Sequence, residues 1–262
     1  MRRAVLLLAL VLAGGAAAGT PPLRPTVLPT PPFGPPAADV RPSGQLRLAL
    51  VSSRYREPQL PRARPAPPSY APRVFEGVSL QWAIRQPGGP VFLGYGRDAG
   101  VVRYLVAADA RSGRLRYAFD FVNFAYAPEI AAGDRGFVYE QVVWAREAGG
   151  VLYVETAHLT YAHSSGGRNA YVTAIDLRTK RLRWRSPALV ANARTFVLAG
   201  DVLVTGYGFT AEPDYLFLLD RRTGGVLDRL ALPTGPRTIS RRGERLHVRT
   251  YDHEVVAELR RS

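Results

Sequence analysis

The sequence predicts an all-β fold made of four repeated units, each a four-stranded antiparallel sheet, and three observations predict it. From Val74 onward, short apolar runs alternate with glycine and with Asp, Ser and Thr turns. No window sustains a 3.6-residue apolar period over several turns, which argues against helix. Self-similarity is the third and strongest sign. The segments "YLVAADARSGRLRY" from Tyr104, "YVTAIDLRTKRLRW" from Tyr171 and "YLFLLDRRTGGVLD" from Tyr215 align without gaps.

Residues 1–18 read as a secretory signal peptide. Arg2 and Arg3 give a positive start, Ala4 to Ala13 an apolar run, and Ala16 to Ala18 a small-residue cleavage site. The apolar run falls short of the ~20 residues that a spanning helix needs, so no membrane insertion is expected after signal cleavage. Residues 19–43 form a proline-rich linker, where fixed φ and missing donors favour an extended, poorly ordered chain. A β-type island, "GQLRLALVS", follows at 44–52. A second proline-rich linker covers 53–77, and the repeats occupy 78–262.

Each repeat opens with two runs ahead of the aligned segment. The first is "SLQWAIRQPGG" (79–89), "QVVWAREAGG" (141–150), "RTFVLAG" (194–200) and "RTISRRG" (237–243). The second is "PVFLGYG" (90–96), "VLYVETA" (151–157), "VLVTGYG" (202–208) and "RLHVRTY" (245–251). The aligned segment adds a third strand, a turn and a fourth strand. At the turn stand Asp109, Asp176 and Asp220, then Ser112, Thr179 and Thr223, then Gly113, Lys180 and Gly224. Aspartates recurring at the same turn are expected to be turn devices. The carboxylate and hydroxyl bond turn amides, and glycine accepts positive φ. Four-stranded antiparallel units repeated in line are the blades of a β-propeller.

The pattern "Y-x-x-A-x-D-x-x-T-G-x-x-x-W", carried best from Tyr171 with Lys180 at the usual glycine, resembles the PQQ-type β-propeller repeat. That family includes quinoprotein dehydrogenases and outer-membrane assembly propellers. The resemblance covers about 78–262 and implies a fold more than a function. A fourth copy, "HEVVAELRRS" from His253, keeps Glu258 and Arg260 in register and reaches Ser262 without a fourth strand. Residues 43–50, "SGQLRLAL", read like the turn and fourth strand of the first unit, "SGRLRYAF" (112–119). Gln45 to Leu50 is therefore expected to supply the missing outer strand and close a small propeller of about four blades. Closure removes an edge that would otherwise pair with other chains. The alternative is an open arc of blades.

The chain has no cysteine, so neither disulfides nor a lipid-bearing cysteine are available, and a soluble periplasmic or secreted protein is expected. The net charge is +14 and Lys180 is the only lysine. Such an excess can attract an anionic ligand or envelope polymer, but a coding bias toward arginine, with the charges spread over solvated strand faces, is the better account. The arginines sit singly along strands and form no consecutive basic block, so no specific nucleic-acid partner is expected.

The second unit is the longest. Its extra length falls at 120–136 and at 157–170, two connections that emerge on one face of a four-stranded blade. The shorter loops 94–103 and 206–214 belong to the same face. The candidate binding face is therefore Arg97, Tyr126, Glu129, His158, Tyr161, His163, Arg168 and Tyr207.

No catalytic, metal or cofactor site is expected. His158 and His163, even with Glu129 and Glu155 near, lack a metal-binding frame. Ser164 and Ser165 follow His163 without a strained nucleophile turn. His253 holds a repeat position otherwise given to tyrosine, and Trp82, Trp144 and Trp184 stand at strand positions where packing between blades explains them. The quinoprotein dehydrogenases that the repeat resembles are much longer, hold calcium beside the cofactor and often place a vicinal cysteine pair against it. The expected function is an exported, non-catalytic propeller acting as an interaction scaffold for an envelope or periplasmic protein. Alternatives are a binder of an anionic small molecule or polymer through an arginine-rich loop face, and a residual PQQ-dependent oxidoreductase.

Overall fold

The computed structural model describes residues 27–29, 37, 46–58, 66–98, 101–124 and 138–261. Strands β1 (Val27–Pro29), β2 (Leu46–Tyr55) and β3 (Val74–Phe75) precede the repeats. Sheet one contains β4 (Val78–Arg85), β5 (Val91–Gly96), β6 (Val102–Ala108) and β7 (Leu115–Asp120). Sheet two contains β8 (Gln141–Ala148), β9 (Val151–Ala157), β10 (Tyr171–Asp176) and β11 (Leu182–Arg185). Sheet three contains β12 (Val197–Ala199), β13 (Val202–Tyr207), β14 (Tyr215–Asp220) and β15 (Val226–Ala231). Sheet four contains β16 (Pro236–Arg242), β17 (Arg245–Thr250) and β18 (His253–Arg261), with β2 as its outermost strand. Each sheet has a four-stranded antiparallel core, extended in sheet one to six strands by β3 beside β4 and β1 beside β7, the architecture of a small β-propeller.

The early strand completes sheet four, as the sequence predicts. Leu46 lies opposite Arg261, Ala49 opposite Glu258 and Tyr55 opposite His253, with a bulge near Val51. The strand runs on to Tyr55, three residues into the segment read as linker. β18 offers nine residues of backbone, and Ser53 to Tyr55 satisfy its first turn of donors and acceptors. The leader contributes too. β1 adds to sheet one in parallel to β7, with Val27 opposite Ala118, and the Ala37 amide donates to the Arg185 carbonyl at 2.8 Å.

The turn chemistry is as the repeat implies. The carboxylate oxygen of Asp109, Asp176 and Asp220 accepts the amides of Ser112, Thr179 and Thr223 at 2.8, 2.8 and 2.9 Å. The residues that close these turns, Gly113, Lys180 and Gly224, have φ of 70°, 59° and 80°.

Stacking of sheets explains why strands that look half-buried in sequence are buried on both faces. β5, β9 and β13 are buried throughout. One apolar cluster joins sheets one and two through Phe92, Phe119, Val142 and Leu152, and another joins two and three through Tyr153, Trp184, Leu203 and Phe217. A third joins three and four through Val204, Leu218, Leu246 and Val255. The outer face of sheet one is covered differently, by Tyr70, Ala71 and Phe75 of the segment returning from β2. Among the described residues no apolar cluster joins sheet four to sheet one. Accordingly β17 and β18 keep a strict alternation of buried and open side chains, because only one of their faces has a partner.

Candidate functional site

The inner strands β4, β8 and β16, with the segment leading into β12, surround a cavity of 1040 Å³. Each brings a polar residue to the cavity wall: Gln81, Gln141, Arg194 and Arg237. Apolar walls come from Trp82, Val143 and Phe209. The mouth lies where the second-to-third-strand loops and the sheet-to-sheet connections meet.

Those connections are tied to one another. The Asn192 side-chain amide donates to the Gly208 carbonyl at 2.8 Å and accepts the Gly208 amide at 3.1 Å. Leu232 donates to the Asp214 carbonyl at 2.9 Å, and Tyr251 to the Gly235 carbonyl at 3.1 Å. The Ala162 amide donates to Glu212 at 2.7 Å, joining the loops of sheets two and three. Glycine is required at 208, where a Cβ would stand 2.1 Å from the Asp214 carboxylate.

His158 is buried in the cavity wall. Its Nε2 lies 2.7 Å from the Ser165 hydroxyl, which itself donates to the Ala162 carbonyl at 3.2 Å. A hydroxyl has one proton, so His158 is the donor and Ser165 the acceptor. The pair clamps the loop. Burial pushes the His158 imidazole down to about 4, so the ring is neutral at pH 7. Asp214 moves the other way. Desolvation, then the charges of Asp252 and Glu212, raise its carboxyl to about 6. Asp252 is held low by hydrogen bonds from the Thr234 hydroxyl and from His253.

The predicted face residues fall into three sets. His158, Tyr161, His163 and Tyr207 come together at the mouth. Tyr161 meets Phe209 edge-on at 5.1 Å and His163 at a tilt at 5.4 Å, while Tyr207 is buried with its hydroxyl donating to Glu212. Arg97 and Arg168 are exposed on loops of sheets one and two, Arg97 lying 3.5 Å from Asp98. Tyr126 and Glu129 lie outside the described residues. Among the described residues no group of three His, Asp or Glu side chains is arranged to hold a metal.

Sequence reasoning did not single out Gln81, Gln141, Asn192, Arg194, Asp214, Arg237 or Tyr251. The polar residue near the start of each innermost run, aligned as "RT" at 194 and 237, was the usable sign. Innermost strands face the channel, so their leading polar residues line it.

No family model matches the chain, and no curated protein matches it. Among solved structures, BamB from Moraxella catarrhalis aligns at 12% identity and a TM-score of 0.39, covering 68% of this chain and 58% of that one. Sqt1 from Saccharomyces cerevisiae aligns at 12% identity and a TM-score of 0.47, covering 70% and 47%. The computationally designed Ika4 aligns at 9% identity and a TM-score of 0.42, covering 75% and 99%. The chain spans about half the length of BamB and Sqt1. The fold assignment rests on the four sheets themselves.

Proposed function

We propose that this chain is an exported, non-catalytic β-propeller that serves as a protein-interaction scaffold in the periplasm or cell envelope, gripping its partner with the loop face around the cavity mouth. One observation carries the reading. Three exposed tyrosines stand on that face, two braced by an edge-on aromatic neighbour and one by a guanidinium. Tyr55 meets His253 at 5.7 Å, Tyr161 meets Phe209 at 5.1 Å, and the Arg237 guanidinium lies 4.7 Å from the Tyr251 ring centre. Leu159, 64% exposed, adds an aliphatic contact beside them. Rigid aromatic anchors near arginine are the usual carriers of protein-binding energy, because little side-chain entropy remains to be lost.

The test is capture of an envelope protein by the tagged chain in its native cells, followed by cross-link mapping. Wild type is expected to cross-link through 158–163 and 251. Y161A/Y251A is expected to lose the partner while melting at the wild-type temperature. Equal capture by the double variant would refute the reading.

A second reading draws on Arg194 and Arg237. The Arg194 amide donates to the Arg237 carbonyl at 2.8 Å, and both side chains line the cavity. An anionic small molecule would sit between them, with Asn192 and Gln141 as further donors. Calorimetry with inorganic phosphate and a sugar acid, repeated on R194Q/R237Q, separates this reading from the first.

A further inference from the structure

Sheet four keeps one face out of the stack, and that face is arginine-rich. The register sets Arg47 beside Arg260, Arg245 beside Arg242 and Glu258, and Arg54 in the row of Glu254 and Arg249. The opposite face of the same strands carries Leu48, Ile239, Val248 and Leu259, sunk in the core shared with sheet three. Arginines that look singly scattered in sequence are thus gathered by the two-residue period of the strand. Arg47, Arg54, Arg242, Arg245 and Arg260 are exposed. Glu258 is engaged by Arg260 and Glu254 by Arg56, and Arg47, Arg54, Arg242 and Arg245 have no ion pair among the described residues.

We propose that this face docks on the phosphate groups of an anionic lipid bilayer. The guanidinium fork matches a phosphate with two hydrogen bonds. The charges stand toward the edges of the patch. With strands ~4.8 Å apart and ~3.3 Å per residue, the patch measures roughly 14 by 23 Å. A headgroup layer presents phosphates over such a plane, whereas a linear polyanion follows a groove. The edge strand supports the same occupant. At the bulge between Arg47 and Arg54 it exposes Val51 by 43%, whereas Leu50, opposite Ala257, belongs to the other face, and an apolar side chain flanked by arginine enters the headgroup boundary. A second copy of the chain is a poor occupant: like charges oppose self-pairing, and the outer face of sheet one is already covered by Tyr70, Ala71 and Phe75. This surface is separate from the loop face, and its test does not depend on that reading.

The experiment is co-sedimentation of the full chain with two kinds of vesicle, phosphatidylcholine alone and an equal mixture with phosphatidylglycerol. The apolar run at residues 4–13 would enter either vesicle, so the readout is the difference between them. Each arginine near an anionic surface strengthens binding by about fivefold. A preference for the anionic vesicles of about tenfold or more is expected, falling as salt rises. R47Q/R54Q/R242Q/R245Q, melting like wild type, is expected to abolish the preference. Should that variant melt early, R47Q/R54Q and R242Q/R245Q are each expected to lose part of it. R194Q/R237Q at the cavity should keep it. Equal binding to both vesicles, survival of the preference in the quadruple variant, or its loss in R194Q/R237Q would overturn the proposal. So would retention on heparin without any vesicle preference.

Discussion

Lys180 closes the turn of sheet two with φ at 59°, where the neighbouring turns use Gly113 and Gly224. A side chain in that region is strained by about 1 kcal/mol or more. Its ammonium lies 5.6 Å from the ring centre of Tyr117 in sheet one, a cation–π contact that offsets part of the strain. Alanine would lose the contact and keep the strain, whereas glycine would lose both. K180G is therefore expected to exceed K180A in stability by about 1 kcal/mol in denaturant melts. The cavity wall gives a second prediction. His158 is depressed to about 4, so the unfolded chain binds its proton first and stability is lost as pH falls from 6.5 toward 4. Asp214 is raised to about 6, so its contribution runs the other way and stability is lost as pH rises from about 4 to 6. The two slopes oppose each other in wild type. D214N is expected to gain about 1 kcal/mol at pH 7 after allowance for solvent screening, and to show a steeper loss below pH 6 than wild type. At this scale the sequence was partly legible. Asp109, Asp176 and Asp220 announced their turns because that chemistry is local. His158 and Tyr161 stood out through an oversized loop, whereas Asn192 and Asp214 matter through contacts with distant glycines that no local pattern encodes.

Trp184 at the end of sheet two packs on the turn of sheet three. A Cβ on Gly224 would stand 2.4 Å from its ring, and the indole N–H donates to the Arg221 carbonyl at 3.0 Å. Arg221 then reaches back to the Tyr153 hydroxyl at 2.8 Å. The glycine of the repeat thus serves two ends, the left-handed turn and the seat for the preceding sheet's tryptophan. G224A is expected to cost about 2 kcal/mol or more in a thermal melt, from the clash and the positive φ together. The strands were legible as elements because their turns punctuate them. Their burial was not. β9 and β13 pack on both faces, which alternation alone does not reveal, whereas β17 of sheet four shows the one-sided pattern that an isolated strand would suggest.

For the whole molecule, the first described strand of sheet four is supplied from far upstream, and the segment returning from it covers sheet one. Residues 46–55 and 70–75 therefore lie at the two ends of the stack. Leu48 is buried in the core shared by sheets three and four, and its amide donates to Asp228 of sheet three at 2.8 Å. L48E is expected to cost about 3 kcal/mol and to broaden the unfolding of sheets three and four together. The completion of sheet four was legible in the near-identity of 43–50 and 112–119. The covering of sheet one was not, since Tyr70, Ala71 and Phe75 come from a segment that reads as linker. The strand pairing can be tested directly because the chain has no cysteine of its own. In A49C/E258C the two positions face each other across β2 and β18. Air oxidation is predicted to form an intramolecular disulfide in nearly all molecules, with a raised melting temperature. Thiols that stay free in the folded protein, or disulfide-linked dimers in place of the internal bridge, would contradict the account.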